Sequence, residues 1–148
     1  MKRIRTLLLL PVVTLLMASS TPIPFIGWPQ LENVEFAEKF VKEVDGYMLF
    51  PKFPDALKKL AGKTIMVEGY VVPVDKSGTF IALSANPYAA CFFCGKAGPA
   101  SVMTVKLKTK NPNYKIDDVV RFMGTLRLND DDIKEFYYVL ENAIPMKQ

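Results

Sequence analysis

Two periodicities divide the chain. Between Val34 and Val44 the apolar residues Val34, Ala37, Phe40, Val41 and Val44 recur at helical spacing among Glu35, Glu38, Lys39, Lys42 and Glu43. This predicts an amphipathic helix ended by Gly46, although Val34, Phe36 and Phe40 also fit a strand in part. After Gly62 the period falls to two and stays there. Residues 64–74 set Ile65, Val67 and Val71 on one face and Met66, Glu68, Tyr70 and Val72 on the other. Asp75-Lys76-Ser77-Gly78 is turn chemistry ahead of a second strand over residues 79–84. A third strand is predicted over 101–108, with Met103, Val105 and Leu107 on one face, and a fourth over 119–128, with Val120, Phe122, Leu126 and Leu128 inward. The fifth, over 135–144, puts Phe136, Tyr138, Leu140 and Ile144 together. Between the last two, Asn129-Asp130-Asp131-Asp132 reads as a solvated hairpin turn, because it lacks the alternating ligands, glycine and closing glutamate of an EF-hand.

Five short strands with turn signals between them predict a small antiparallel barrel or sandwich. Gly69 and Gly124 favour the barrel. Each lies inside a strand, where glycine marks a bulge or bend of the kind a strand needs to coil around a small closed sheet. Two such strands among five fit an OB-like Greek-key barrel over residues 62–148, with a five-stranded sandwich as the alternative. The helix usual between the third and fourth strands is truncated here, since only residues 109–118 are available for it.

The chain before residue 62 is of a different kind. Lys2, Arg3 and Arg5 precede an apolar run from Leu7 to Met17 and the small residues Ala18, Ser19 and Ser20. That is the three-part layout of a secretory signal over residues 1–20, with cleavage near Ser20 and a run too short to span a bilayer. Residues 21–61 read as an extended and helical segment. Its proline-rich start, 21–29, is an extended lead-in, 47–53 is a short aromatic extended piece, and Asp55 caps one or two turns closed by Gly62. No later stretch is long enough to span a membrane, and Cys91, the first cysteine, is too far along to take a lipid. The expected product is therefore exported, periplasmic or extracellular, and not a lipoprotein.

Export changes the charge. The whole chain carries 19 Lys+Arg against 15 Asp+Glu, a net +4. The signal segment holds three of the basic residues and none of the acidic ones, so the product is near +1. Lys106, Lys108, Lys110, Arg121 and Arg127, with Tyr137 and Tyr138 near them, would otherwise suggest a single-strand nucleic-acid face. A nearly neutral exported protein lacks the electrostatic excess that phosphate binding requires. The chain has no histidine, which removes Ser-His-Asp and Cys-His catalysis and His-ligated metals.

Several motifs carry a resemblance. Pro51-Lys52-Phe53, Leu60-Ala61-Gly62-Lys63 and Gly69-Tyr70-Val71-Val72-Pro73, followed by the loop Cys91-Phe92-Phe93-Cys94-Gly95, resemble a group of uncharacterised secreted bacterial proteins. That group has a Gly-Tyr-Val-x-Pro signature ahead of an OB-like sheet, and the likeness spans residues 47–145. It implies export and fold, with Gly69, Tyr70, Pro73 and Gly124 as structural signature positions, and brings no activity with it.

Cys91 and Cys94 are the candidate chemistry. In an oxidising compartment they form a short disulfide that holds the 86–100 connection and presents Phe92 and Phe93 as contact groups. A thiol-exchange role would draw on the nearby Lys96 to lower a thiol pKa, but the sequence context of thioredoxin is missing. As metal ligands the two thiolates would be half of a tetrahedral site, with carboxylates or a second subunit supplying the rest. Paired carboxylates such as Glu32 with Glu35, or Glu38 with Glu43, read as a solvated face. The sequence therefore predicts a non-enzymatic envelope module that binds a small ligand or another envelope protein, with no cofactor and no nucleic acid. A thiol-redox or metal-handling protein using Cys91 and Cys94 is the competing reading.

Overall fold

The computed structural model describes residues 22–90 and 97–146. The expected signal segment and the residues Cys91, Phe92, Phe93, Cys94 and Lys96 lie outside them. The elements in chain order are α1 (Trp28–Glu32), β1 (Glu35–Val41), β2 (Gly46–Lys52), α2 (Asp55–Lys58), β3 (Thr64–Val72), β4 (Phe80–Ser84), β5 (Val102–Leu107), β6 (Val119–Leu128) and β7 (Tyr138–Pro145).

Strands β3 to β7 close into a barrel in the order β3-β4-β5-β7-β6, with β6 returning to β3. All neighbours are antiparallel except β5 and β7. This is the OB-like Greek key expected from the alternating pattern. The inward positions are filled as that pattern requires: Ile65, Val67, Val71, Met103, Val105, Phe122, Leu126 and Leu140 are all fully buried. In place of a helix, residues 109–118 form turns, and Tyr114 meets the Phe122 ring edge-on at 5.8 Å between centroids.

The two interior glycines sit where the barrel bends. β3 pairs with β6 through Thr64 to Tyr70 but with β4 only through Tyr70 to Val72, so Gly69 lies at the point where its second edge gains a neighbour. A Cβ there would come within 2.6 Å of the Ser84 carbonyl oxygen and 3.2 Å of the Trp28 ring. Gly124 faces a bulge in β7: Met123 pairs with Ile144 but Thr125 with Glu141, leaving two β7 residues opposite one glycine. Asn142, in the bulge, takes a left-handed φ of 52°. The extra residue moves Ala143 into the core, and Ile144 is only half-buried. The inward face predicted for β7 is therefore correct as far as Leu140 and wrong beyond it.

The part of β3 that β4 does not reach is covered by the lead-in. Met66 N–H donates to the Pro24 carbonyl at 2.9 Å, Met66 C=O accepts from Ile26 N–H at 2.8 Å, and Glu68 C=O accepts from the Trp28 indole N–H at 2.8 Å. An open barrel edge is thus capped by backbone and indole. Prolines did not keep this region wholly extended: Pro29 stands in the first turn of α1, where a missing N–H costs nothing.

The helix expected over 34–44 is not formed. Residues 35–41 are β1, paired antiparallel with β2 from Glu35↔Lys52 to Val41↔Gly46. The turn between them ends on Asp45, which takes a left-handed φ of 47°. Helical spacing at Val34, Ala37, Val41 and Val44 lost to β-branched and aromatic content, and to a neighbouring aromatic strand able to pair. Asp55 is likewise the first residue of α2 rather than its cap; the cap position is Pro54.

This arrangement predicts that Trp28→Phe, which keeps bulk but loses the bond to Glu68, lowers stability by about 1 kcal/mol, and Trp28→Ala by about 3 kcal/mol. Gly69→Ala should cost roughly 1–3 kcal/mol through its clash with the Ser84 backbone. Urea-unfolding midpoints of the three variants check the ranking.

Candidate functional site

One side of the barrel is overlaid by α1, the β1–β2 hairpin and residues 129–137. α1 is seated by Leu31, which is fully buried and whose carbonyl accepts the Tyr138 hydroxyl at 2.5 Å. Burial, followed by the charge of Glu32, pushes the Tyr138 phenol well above its ordinary pKa. The Phe53 ring lies 5.6 Å from that of Tyr138. Next to it, Tyr137 turns outward: its ring stands 5.6 Å from Phe36 of β1, and its hydroxyl donates to the Leu49 carbonyl of β2. Burial raises the Tyr137 pKa as well. The two tyrosines therefore fasten the N-terminal layer to the start of β7.

Between β2 and residues 129–137 lies a cleft of about 180 Å³. Met48 and Phe50 form one side, Pro99, Ile133 and Phe136 the other, and Asp130, Asp131 and Asp132 the rim. A wider groove of about 630 Å³ continues from it toward the hairpin turn, sharing Phe50, Asp131, Asp132 and Ile133.

The 129–137 wall is more than a solvated turn. Asn129 is buried, 2 % exposed. Its amide donates to the carbonyls of Asp132 (2.7 Å), Glu135 (3.1 Å) and Phe136 (3.2 Å), and its side-chain oxygen accepts from Asp132 N–H at 2.9 Å. One side chain thus holds the loop from inside. From outside, Glu135 binds both Lys106 of β5, at 2.7 Å, and Arg127 of β6. Glu141 of β7 takes the same two cations, Arg127 at 3.1 Å and Lys106 at 3.4 Å. Hydrogen bonds from Lys106 and Arg127 hold the Glu135 carboxyl below the ordinary glutamate range, and the bond to Glu135 raises Lys106.

The cations that suggested a nucleic-acid face are thereby accounted for in part. Lys106 and Arg127 are paired with Glu135 and Glu141, and Arg121 is paired with Glu68 at 3.0 Å while lying over the Phe25 ring. Tyr138 is in the core and unavailable for stacking. Tyr70 is half-buried at the barrel bend, and Pro73 is an exposed residue just past β3. Glu32 and Glu35 lie on α1 and β1, and Glu38 and Glu43 on β1 and its turn, not on one helix face.

The cysteine loop leaves the described residues at Ala90 and returns at Ala97. Residues 97–101 line a second hollow of about 300 Å³ with Glu32, Phe36 and Asn86. Among the described residues no three His, Cys, Asp or Glu side chains converge to hold a metal ion, and no helix is long and apolar enough to cross a membrane.

Comparison with solved structures finds the same fold in a DUF3299 family protein from Pseudomonas aeruginosa. The two chains superpose with a TM-score of 0.54 and 14 % identity, over 86 % of this chain and 99 % of the other. The likeness is one of fold. No protein-family model and no curated protein matches the sequence.

Asn129 and Trp28 are the positions that sequence reading undervalued. Asn129 looked like any polar turn residue, and Trp28 sat in a proline-rich lead-in. The available signal was that Trp28 is the one tryptophan of the chain, and such a residue is seldom left without a packing role.

The clamp has a defined pH range. Glu135 is depressed in the folded state, so its contribution is present above the ordinary glutamate pKa and is lost as pH falls through the folded value. Lys106 is raised, so its contribution is complete below the ordinary lysine pKa and is lost as pH rises through the folded value. Glu135→Gln should cost about 1 kcal/mol at neutral pH and nothing further in acid. Asn129→Ala, which removes the side chain that bonds the Asp132, Glu135 and Phe136 carbonyls, should cost about 2 kcal/mol. Amide exchange across residues 129–137 at pH 3 and pH 7 separates the two.

Proposed function

We propose that the protein is an exported binding or accessory module of the cell envelope, and that it takes an apolar group of its ligand or partner into the cleft between β2 and residues 129–137. The observation that carries this reading is the cleft itself. It has an apolar interior, and its outer wall is fixed both by Asn129 and by a four-charge clamp. A wall held twice over is preorganised, which lowers the ordering cost of binding. The position also suits an OB-like barrel, in which the connection between the last two strands is one of the contact loops.

The rim sets the preference. Asp130, Asp131 and Asp132 are exposed at the mouth, so a group entering with a cation beside it is favoured over one beside an anion. Export rests on the three-part layout of residues 1–20, and cleavage near Ser20 keeps Pro24, Ile26 and Trp28, whose bonds cover β3. In the exported protein Cys91 and Cys94 form a disulfide that braces the connection leading into residues 97–101.

Two measurements test this. Selection of short displayed peptides on the purified protein should enrich an apolar residue next to Lys or Arg. Binding should weaken about tenfold on Asp130→Asn with Asp131→Asn, and be lost on Ile133→Asp; enrichment of acidic sequences would refute the assignment. Intact-mass analysis of the protein recovered from the envelope or medium should show cleavage near Ser20 and the loss of two hydrogens at the cysteines. A thiol pair readily reduced by glutathione would favour the redox reading instead.

A further inference from the structure

The β1–β2 hairpin forms a separate two-stranded sheet beside the barrel, so each of its strands has an outer edge. Two observations show how the backbone groups are directed. Pro51, opposite Phe36, has no N–H to offer β1, and the carbonyl of Leu49, opposite Glu38, accepts the Tyr137 hydroxyl from outside the hairpin. Bonded and non-bonded pairs alternate along an antiparallel ladder. Tyr47, Leu49 and Pro51 therefore turn their backbone groups away from β1, and Phe36, Glu38 and Phe40 turn theirs away from β2.

The two edges differ. That of β2 is blocked by Pro51 and tied by Tyr137. That of β1 is open: among the described residues, nothing outside the hairpin bonds to the backbone of Phe36, Glu38 or Phe40. Phe40 is also 52 % exposed. An open seven-residue edge is a template for another strand.

We propose that this edge is where two copies of the chain pair, antiparallel, about a two-fold axis at Ala37. The charges select both the partner and the register. With the axis at Ala37, Glu35 of each copy faces Lys39 of the other, Phe36 faces Glu38, and the small Ala37 meets itself where side chains approach most closely. An axis at Glu38 sets two glutamates against each other. One at Lys39 opposes two lysines, and one at Phe36 pairs no opposite charges. An axis at Phe40 would match Glu38 only with Lys42, which lies in the turn beyond the strand. Pairing at Ala37 makes a four-stranded sheet whose outer strands are both β2. Pro51 blunts both of its edges, so assembly closes at two copies rather than growing.

Sedimentation equilibrium on the purified protein tests this. The expected result is a concentration-dependent dimer. Glu38→Pro, which changes an N–H that the hairpin does not use, should give a folded monomer, with folding confirmed by an unchanged circular dichroism spectrum. Glu35→Lys or Lys39→Glu alone should raise the dimer dissociation constant about tenfold, and the two together should restore it. With Cys91 and Cys94 changed to serine, Ala37→Cys should oxidise to a covalent dimer. A wild-type monomer at all concentrations would overturn the proposal. So would a dimer indifferent to Glu38→Pro, or a monomer whose β1 edge is protected only by another protein's strand.

Discussion

The fold depends on a mismatch between β3 and its neighbour. β6 runs along most of β3, but β4 reaches only its last three residues. Upstream of Gly69 the second edge of β3 would face solvent with unpaired backbone, a condition closed sheets exist to avoid. Residues 24–28 remove it, using two backbone bonds and one indole N–H. Once Trp28 is fixed there, α1 follows directly, Leu31 is carried beneath Tyr138, and the hairpin is brought against Tyr137. The cleft and the open edge of β1 are both set out from this one correction.

The wall of the cleft combines two kinds of interaction of unequal strength. The Asn129 amide is itself nearly fully buried, so leaving it without its partners would be costly. The ion pairs of Glu135 and Glu141 are partly solvated, with side chains between 23 % and 39 % exposed, so each is worth little alone. Asn129 gives the loop its shape, and the ions set its position on the barrel.

Much of the barrel was legible because its physics is local. Alternation identifies a half-buried strand wherever one face is covered, and Ile65, Val67, Phe122 and Leu126 lie where alternation puts them. Gly69 and Gly124 were readable as bends because a glycine inside a strand has few other reasons to be there. What escaped were choices that period alone does not make. A one-residue bulge at Asn142 reversed the face of the last strand's end. The 34–44 segment satisfied two periods at once, and its outcome turned on hairpin pairing with the aromatic run that starts at Gly46. Of the site, Tyr138 lies on the inward face where alternation puts it, the tie from Tyr137 to the hairpin had no signal, and Asn129 was hidden because a buried amide and an exposed one look alike in sequence.

The parallel contact between β5 and β7 has a temporal side. Every other strand pair of the barrel can form between antiparallel neighbours, but β5 must wait for Val139 and Leu140 to lie beside it. The hydroxyl that seats α1 spans 107 residues, from Tyr138 back to Leu31. Contacts of such separation are late and slow to form. The hairpins β1–β2, β3–β4 and β4–β5 join segments close in sequence, so closure of the barrel, rather than formation of its parts, is the step that waits on the last strand.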